Sequence, residues 1–340
     1  MVKPNPLSRS KMVWPLVTLG GLLLFNLFFT PNFFSIVIKE GHLFGNLIDI
    51  LKNAAPIMLL AIGLTLVIAT HGIDISVGSV VAISAGMVAI MIGGDLAGVP
   101  KYPIAIAMMA ALLISTAAGM WNGMLVAWLG MQPIIGTLIL FVAGRGIAMV
   151  LTNAQIIWLY NDSFFYWGSG YFLGLPVTIF IVAAVLILTV IMTRRTAMGL
   201  FIEAVGINPT ATRFSGINAK KIIFWCYTFT GFCAGIAGVL VCSNSQAADG
   251  NNAGNLFELD AILAVVLGGT SLNGGKFSLI GSMIGALIIQ TLTTTIYAFN
   301  VPPQISQVFK AIVVYIVCLL QSEKFRSMIA GVFGKRRVAA

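Results

Sequence analysis

The chain has 340 residues, of which 59% are hydrophobic and only 9% are charged. Soluble domains carry roughly 25% charged residues, so this composition excludes an ordinary soluble protein and indicates an integral membrane protein. Long apolar runs such as VTIFIVAAVLILTVIM lack the alternation of polar and apolar residues that a membrane β-barrel requires.

The formal net charge of +9 is distributed unevenly along the chain. Most Lys and Arg residues lie near the N-terminus, in the stretch 194–221, at Lys276 and near the C-terminus. Basic residues gathered in one set of loops mark the cytoplasmic side of a membrane. The charge therefore predicts a topology with both termini in the cytoplasm, and it gives no indication of a nucleic-acid partner.

Hydropathy predicts about ten transmembrane helices, and thus an all-α polytopic membrane protein. The first is expected to be an uncleaved span, because no small-residue cleavage site follows it. The predicted domains are a cytoplasmic N-terminus (1–13), a transmembrane domain (14–322) and a basic cytoplasmic tail (323–340). The predicted spans are 14–30, 47–70, 74–93, 103–129, 133–152, 174–193, 222–243, 258–270, 278–299 and 304–322.

One predicted span, 258–270, is too short to cross a bilayer as a straight helix. At 1.5 Å per residue it would reach only about 20 Å, so we expect it to be tilted, re-entrant or broken. The segments HGIDISVG (71–78) and GGTSLNGG (268–275) align weakly. Interrupted hydrophobic segments at matching places in two halves often mark a transport site, so the alignment predicts a weak internal repeat around such a site.

The stretch GGTSLNGGKF, residues 268–277, is similar to a phosphate-binding loop. Thr270 replaces its first glycine, and Phe277 replaces the hydroxyl residue that would bind Mg²⁺. A phosphate-binding loop also follows a strand of an α/β fold, whereas this stretch follows an apolar run. We therefore expect that the chain does not bind ATP itself.

The cysteines lie in or at the ends of apolar runs and lack the spacing of a metal site. We interpret them as buried small hydrophobic residues, and we expect no metal or cofactor in this chain. The four are Cys226, Cys233, Cys242 and Cys318.

Pairs of glycines four residues apart occur in three of the predicted spans. Such pairs let helices approach closely, which suits either a compact bundle or a dimer. The pairs are Gly119–Gly123, Gly231–Gly235 and Gly281–Gly285.

A few polar residues interrupt the apolar runs. Asp74 either caps the next span together with Ser76 or belongs to a translocation pathway, and the sequence leaves both open. Arg145 is expected to be functional, as a donor to a substrate or as the ion-pair partner of Asp74. Lys310 is expected to reach the nearer membrane surface, and His71 is expected to be structural more than proton-coupling.

Two further polar residues bracket the tight turn in WNGMLVAWLGMQP, where they either satisfy the backbone or contact a substrate. They are Asn122 and Gln132. The candidate translocation pathway therefore comprises Asp74, Ser76, Asn122, Gln132, Arg145 and Asn273.

The stretch 194–221, RRTAMGLFIEAVGINPTATRFSGINAKK, contains a short helix with clear ends. Asn208 suits the N-cap, Pro209 suits the first helical position, and Gly216 suits the residue just past the end. A helix of about two turns is marginal alone in water, so we expect it to pack on something else. With the adjacent apolar LFIEAVGI it predicts a docking surface for a soluble partner; the alternative is a hairpin on the membrane surface.

The segment FIEAVGINPTATRFSGI resembles the cytoplasmic coupling segment of permease subunits in ABC importers for ribose, xylose and galactose. THGIDISVGS resembles an early signature of that family, and WNGMLVAWLGMQPIIGTL, GRGIA and LDAILAVVLGGTSLNGGKFS resemble further stretches in the same order. The resemblance covers about residues 47–321 and is greatest to permeases of the galactofuranose type. His71 departs from it, because the family usually has glycine there.

The resemblance implies the architecture of a bacterial inner-membrane importer. Two permease subunits, identical or homologous, would join two ATP-binding subunits and a periplasmic sugar-binding protein, within membrane lipid. ATP and Mg²⁺ would be bound by the partner subunits, so the permease would have no catalytic residues of its own. By position, the residues that couple to the ATP-binding subunit would be Gly199, Glu203, Ala204, Gly206, Asn208, Pro209 and Gly216.

The expected function is therefore translocation of a monosaccharide, with galactofuranose among the candidates. One alternative is an ion-coupled secondary transporter that uses Asp74, His71 and Arg145. Others are a membrane-embedded enzyme and a branched-chain amino-acid permease of the same superfamily, which would need a site for a carboxylate and an ammonium group.

Overall fold

The structure, a computed structural model, describes residues 7–39, 41–93 and 100–321. The predicted basic tail, 323–340, lies outside these residues, as do the first six residues of the predicted N-terminal domain. Within the described part, the regular secondary structure is almost all α-helix, which confirms the predicted fold class.

Each of the ten predicted spans corresponds to one helix. These helices are α1 (Leu7–Phe29), α2 (Asn46–Ala69), α3 (Val77–Ile92), α4 (Ile104–Ala127), α5 (Pro133–Leu151), α7 (Val177–Arg194), α10 (Ala219–Ser245), α11 (Phe257–Leu267), α12 (Leu279–Ala298) and α13 (Pro303–Gln321).

Among the described residues, three shorter helices and six short strands lie in the connections. The helices are α6 (Asp162–Ser169), α8 (Met198–Ile207) and α9 (Pro209–Phe214). The strands form antiparallel pairs: β1 (Val37–Lys39) with β2 (His42–Phe44), β3 (Ile157–Trp158) with β6 (Ala247–Ala248), and β4 (Tyr171–Phe172) with β5 (Leu175–Pro176). The strands and α6 lie at the end of the bundle opposite α8 and α9, so we refer to the α8–α9 end and the opposite end.

Six of the described helices are long and apolar enough to cross a bilayer: α2, α4, α5, α7, α10 and α12. Two others are too short, because α3 has 16 residues and α11 has 11. Each follows a non-helical connection, which we name the first break (70–76) and the second break (246–256). Helix α11 is thus short, as expected of an element at 258–270 that is tilted, re-entrant or part of a broken helix. The predicted continuous span 74–93 was wrong at its start, because the helix begins only after the first break.

Helices α2–α5 are repeated by α10–α13 in the reverse direction. The packing of α10 on α3 and α4 has its counterpart in the packing of α2 on α11 and α12, and α2 packs against α10 itself. The two central helices are antiparallel, because Asn53 near the start of α2 contacts Asn244 near the end of α10. The register that pairs 71–78 with 268–275 was therefore wrong: the first break corresponds to the second break, whereas 268–278 is the turn from α11 to α12. Glycine-rich helix ends are alike in sequence whatever they connect.

Glycines bring α4 and α10 into backbone contact. A Cβ on Gly119 would lie 2.5 Å from the carbonyl oxygen of Tyr227 and 2.9 Å from the Cα of Gly231. Likewise, a Cβ on Gly285 of α12 would overlap the carbonyl oxygen of Ala264 in α11. The predicted close approach is thus realised between helices of this chain.

The core is centred on α2, in which every residue from 57 to 69 is buried. Three of the four cysteines lie on α10 and are free and buried, as predicted for small core residues: Cys226, Cys233 and Cys242. The side chain of Cys318 lies outside the described part of the chain. Four aromatic residues in α6 or shortly before it are exposed: Trp158, Tyr160, Tyr166 and Trp167.

Candidate functional site

The first break is held by a buried cluster of polar side chains. Oδ1 of Asp74 accepts hydrogen bonds from the backbone N–H of Ser76 (2.9 Å), the Ser76 hydroxyl (2.7 Å) and the Asn122 amide (3.3 Å). Asn122 also donates to the Ser76 hydroxyl oxygen at 2.7 Å. All three residues are at most 2% exposed. Because a buried charge is costly unless it is hydrogen-bonded, these donors are what allow Asp74 to lie inside the bundle and orient the start of α3.

Two more side chains contact the backbone of the first break. The hydroxyl of Thr137 on α5 accepts from the N–H of Ile75 at 3.3 Å, and the hydroxyl of Tyr227 on α10 donates to the carbonyl of Ile73 at 3.4 Å. The break is therefore fixed by helices from both halves of the repeat. These contacts could not be predicted from the sequence, because a hydroxyl in an apolar helix commonly bonds within its own helix.

His71 marks the point where α2 ends and the first break begins. Its φ is +64°, in the left-handed region. Its N–H bonds to the carbonyl of Ile68, and the N–H of Gly72 bonds to that of Val67. This is the Schellman pattern, in which the left-handed residue is usually glycine. The requirement for a left-handed backbone accounts for the family's glycine, and His71 adopts that conformation with its side chain exposed.

The second break is held mainly through its backbone. Arg145 on α5 donates to the carbonyl oxygens of Ala253 (2.6 Å) and Gly250 (3.4 Å). The ion pair between Arg145 and Asp74, one of the two roles suggested by the sequence, was therefore wrong, because the guanidinium faces the second break instead. The break begins at Gln246 (φ +55°), another left-handed residue that is not glycine.

Asp249 shapes the start of the second break. Its carboxylate accepts from the N–H groups of Asn251 (2.9 Å) and Asn252 (3.2 Å) and from the side-chain amide of Asn252 (2.6 Å). Partial burial alone would raise the pKa of Asp249, but these hydrogen bonds and the nearby Arg145 outweigh it and hold that pKa below its ordinary value.

The two breaks meet where α3 and α11 begin. A Cβ on Gly254 would lie 2.7 Å from the carbonyl oxygen of Gly78, so the two backbones are in contact. Glu258, in the first turn of α11, packs on Gly78 and is 4% exposed. Among the described residues, nothing hydrogen-bonds its Oε2. The positive N-terminal ends of two helices favour a carboxylate at this point. Glu258 was not among the predicted site residues. An acidic residue within a predicted span could have indicated a functional position there.

The predicted ends of the short helix in 194–221 are confirmed. The side chain of Asn208 accepts from the N–H of Ala211 at 2.9 Å, and Pro209 is the first residue of α9. Gly216 follows the helix with φ +82°. On α9, Phe214 is 89% exposed, so an apolar side chain faces outward at this end of the bundle.

Helix α8 packs directly on the end of α2. A Cβ on Gly206 would overlap the carbonyl oxygen of Ala69 and lie 2.5 Å from the nitrogen of Gly275. The N–H of Gly275 donates to the same Ala69 carbonyl at 2.8 Å. Helix α8, the end of α2 and the turn 268–278 therefore form one tight contact, which we name the Gly206 contact. It lies immediately before the first break.

The other predicted coupling residues lie along α8. Gly199 packs against α7, because a Cβ there would overlap the carbonyl oxygen of Thr193. Glu203 and Ala204 are half-buried. The turn 268–278 follows a helix, not a strand, as expected of a segment that is no phosphate-binding loop.

Gln132 and Asn273 lie at the α8–α9 end and are exposed. Asn273 lines a cavity of about 370 Å³ together with His71 and Gly206. Among the predicted pathway residues, the structure brings together only the buried cluster around Asp74. Arg145, Gln132 and Asn273 lie apart from it.

A cavity of about 470 Å³ lies at the opposite end, between α2, α11, α12 and α13. On its wall the ammonium of Lys310 lies 2.8 Å from Oδ2 and 3.2 Å from Oδ1 of Asp260. The two side chains are 20% and 13% exposed. Lys310 therefore pairs with a carboxylate, whereas the sequence predicted that it reaches the membrane surface. Among the described residues, no group of three or more His, Cys, Asp and Glu could hold a metal ion.

Comparison with known proteins places these features in context. The family model described as branched-chain amino acid transport system / permease component matches residues 46–318. The chain is 48% identical to the galactofuranose transporter permease protein YtfT of Escherichia coli (strain K12) over 329 residues, or 95% of each chain. It is 38% identical to the fructose import permease protein FruF of Bifidobacterium longum (strain NCC 2705), over 98% of this chain and 94% of that protein.

A third relative is the ribose import permease protein RbsC of Escherichia coli (strain K12). The identity is 36%, over 87% of this chain and 88% of that protein. No solved structure gives a significant match.

Proposed function

This chain belongs to the permease-component family matched above, and from that premise we propose that it forms half of the membrane pathway of an ATP-driven monosaccharide importer. Membership of the family confirms the resemblance read from the coupling segment and the signature around Asp74. As a permease with several membrane-spanning helices, the chain is a multi-pass protein of the inner membrane.

The Gly206 contact is the observation that carries this proposal. Helices α8 and α9 expose an apolar surface at one end of the bundle, and Gly206 connects that surface to the end of α2 without an intervening side chain. A displacement of α8 therefore reaches the first break through backbone atoms alone. Closely packed interfaces tend to switch between discrete arrangements and do not deform continuously when one element is displaced. This contact is therefore suited to transmit a push on α8 from a docked partner to the end of α2.

The proposed mechanism assigns ATP chemistry to a partner. An ATP-binding subunit would dock on α8 and α9, bind ATP and Mg²⁺, and push this segment when it closes. A second permease subunit, identical or homologous, would complete the pathway, and a periplasmic binding protein would deliver the sugar. The residues we assign to the coupling surface are Gly199, Glu203, Ala204, Gly206, Asn208, Pro209 and Gly216.

We assign the α8–α9 end to the cytoplasm. It carries exposed basic residues, among them Arg194, Arg213 and Lys276, and cytoplasmic loops are enriched in such residues. If α3 and α11 are each counted as one crossing together with the break before them, the ten predicted spans would place both termini on this side. The opposite end, with its strands and exposed aromatic residues, would face the periplasm.

The relatives support a neutral monosaccharide as the substrate. They are named for galactofuranose, fructose and ribose. All three sugars are uncharged, and each can form a ring that carries several hydroxyl groups. Galactofuranose is the first sugar to test, because the relative named for it is 48% identical to this chain. The family description names branched-chain amino acids, so these are the substrates to compare with galactofuranose in the same assay.

The test is purification of the chain from its native membrane in mild detergent, followed by reconstitution with the proteins that co-purify. We expect an ATP-binding subunit in the complex, and sugar uptake into vesicles that requires ATP and persists when an ionophore collapses ion gradients. Uptake by the chain alone that the ionophore abolishes would overturn the proposal in favour of an ion-coupled transporter. Uptake of L-leucine but of no sugar would overturn the substrate class.

A further inference from the structure

The cavity at the opposite end has a defined polar lining, and the proposed coupling mechanism gives it no role. Its volume of about 470 Å³ lies within the roughly 300–1,000 Å³ that small-molecule sites occupy. Its walls come from both halves of the repeat, because α2 belongs to the first half and α11, α12 and α13 to the second. It therefore lies where rearrangement of one half against the other would change its shape.

The polar groups on its walls suit a ligand with many hydroxyls. Amide side chains and hydroxyls supply both donors and acceptors, as a sugar hydroxyl requires, since each hydroxyl can donate one bond and accept two. The polar lining residues besides the ion pair are Asn53, Asn255, Gln290, Thr293, Tyr297 and Gln307.

The ion pair leaves the lining of the cavity with no net charge. Asp260 and Lys310 bond to each other at 2.8 Å, so neither is left to attract an ion of opposite sign. A carboxylate has about four lone-pair sites and an ammonium has three donors, so each group keeps capacity for a ligand hydroxyl. This arrangement favours a neutral polyhydroxylated ligand over a charged one.

The inverted repeat gives this cavity a counterpart at the α8–α9 end. The smaller cavity beside Gly206 is lined by Val126 at the end of α4, Pro133 at the start of α5 and Ile223 near the start of α10. These positions correspond to the end of α12, the start of α13 and the start of α2, which line the larger cavity. The two cavities thus lie at partly corresponding places in the two halves, one at each end of the bundle.

Helix α11 connects the larger cavity to the Gly206 contact. Asp260 lies in its first turns, and its far end leads through Gly268 into the turn 268–278, whose Gly275 bonds to the end of α2. A Cβ on Gly281 of α12 would overlap the carbonyl oxygen of Gly268, so this end of α11 has no room to shift independently of α12. Occupation of the cavity and displacement of α8 therefore act on the same rigid elements.

We propose that this cavity is a monosaccharide-binding subsite of the permease, in which Asp260 and Lys310 hydrogen-bond the hydroxyls of the sugar that enters from the opposite end. The inference rests on the proposed function for its substrate class. The inference goes beyond the proposed function because it gives the permease its own contacts with the sugar, distinct from those of any protein that delivers the sugar.

The direct test is protection of a cysteine placed in the cavity. In the assembled transporter, with Cys318 replaced by serine, Thr293→Cys would be modified by a membrane-impermeant methanethiosulfonate reagent with and without D-galactose, D-fructose or D-ribose. A sugar present at ten times its dissociation constant should slow the reaction about tenfold. Ser163→Cys, exposed on α6 at the same end but outside the cavity, is the control and should be unaffected.

A second measurement separates recognition from folding. Asp260→Lys combined with Lys310→Asp keeps an ion pair but exchanges its donor and acceptor positions. We expect this variant to assemble and hydrolyse ATP, and to take up sugar about tenfold more slowly, as loss of charge-assisted hydrogen bonds predicts. Asp260→Asn should lower uptake in the same direction.

The outcomes distinguish this inference from the proposed function. If wild-type vesicles take up sugar in an ATP-dependent manner but no sugar protects Thr293→Cys from modification, the assignment of the cavity as a sugar subsite is wrong and the proposed function is retained. Normal uptake by the exchanged pair would also overturn the subsite. Protection by L-leucine and by none of the sugars would overturn its ligand class, whereas absence of any sugar uptake would overturn the proposed function itself.

Discussion

The first and second breaks interrupt equivalent helices in the two halves of the bundle, yet they are held in different ways. The first is fixed by side chains: Asp74 accepts from Ser76 and Asn122, and all three are buried. The second is fixed through its backbone, because Arg145 donates to the carbonyl of Ala253. The inverted repeat thus dictates the path of the chain, and each half stabilises that path with its own chemistry.

The difference fits the surroundings of each break. The first follows the Gly206 contact, where a displacement has to pass into the bundle, and buried hydrogen bonds among Asp74, Ser76 and Asn122 hold it in place. The second contains exposed residues such as Asn251 and Asn252, which water can reach. We therefore expect the first break to be the more sensitive to substitution.

The largest expected effect is that of Asp74→Ala. It removes the acceptor for the Ser76 N–H and the Ser76 hydroxyl, each of which then costs about 1–3 kcal/mol as a buried unpaired donor. The free energy of unfolding in detergent should fall by about 3 kcal/mol, measured by denaturant titration of the purified chain. Asp162→Ala, at an exposed position in the first turn of α6, should cost less than about 1 kcal/mol. Equal losses in the two variants would contradict this account of the first break.

Arg145→Met should have the next largest effect. It removes charge-assisted hydrogen bonds to the carbonyls of Ala253 and Gly250, and about 2 kcal/mol of unfolding free energy should be lost in the same titration. Arg145→Lys keeps the charge and one donor position, so it should lose about half as much. A loss larger than that of Asp74→Ala would reverse the order proposed for the two breaks.

The left-handed residues that begin the breaks offer a matched pair. His71→Gly and Gln246→Gly each relieve a left-handed backbone that costs about 1–2 kcal/mol, offset by about 0.5–1 kcal/mol for the added freedom of glycine. Both variants should therefore unfold at slightly higher denaturant concentration. Transport should be unchanged in His71→Gly, whereas its loss would support the ion-coupled alternative that uses this imidazole.

The smallest effect concerns the pH dependence of the second break. The pKa of Asp249 is held below its ordinary value, so its contribution to stability is full above the unfolded pKa of about 3.9 and is lost as the pH falls through the lower folded value. The difference in melting temperature between wild type and Asp249→Asn should accordingly shrink between about pH 5 and pH 3. A difference that grows over this range would show that the carboxylate is not stabilised in the folded chain.

Local signals in the sequence predicted the elements and their ends. Apolar runs gave each long helix, and Asn208, Pro209 and Gly216 defined the ends of α9 because caps are set by neighbours in the chain. The left-handed conformation at His71 was not predicted, although the resembled family usually has glycine at this position. All of these depend on interactions within a few residues.

Pairings across the fold could not be predicted in this way. Arg145 bonds to Ala253, and Lys310 to Asp260, over separations that no periodicity encodes. A charge inside an apolar span indicates that some partner exists, but only the packing of the two halves decides which one. The register of the repeat was misjudged for the same reason, since it is a property of helix packing and not of short glycine-rich motifs.

The most direct test compares Gly206→Ala in the coupling segment with Gly21→Ala in α1, both in the reconstituted transporter. A Cβ at Gly206 would overlap the carbonyl oxygen of Ala69, whereas a Cβ at Gly21 would meet nothing within 4 Å. The measurement is sugar imported per ATP hydrolysed. We predict that this ratio falls roughly 5- to 150-fold in Gly206→Ala, the range of ordinary coupling free energies, and is unchanged in Gly21→Ala. An unchanged ratio in Gly206→Ala, with the complex still assembled, would contradict the claim that force enters the bundle through this contact.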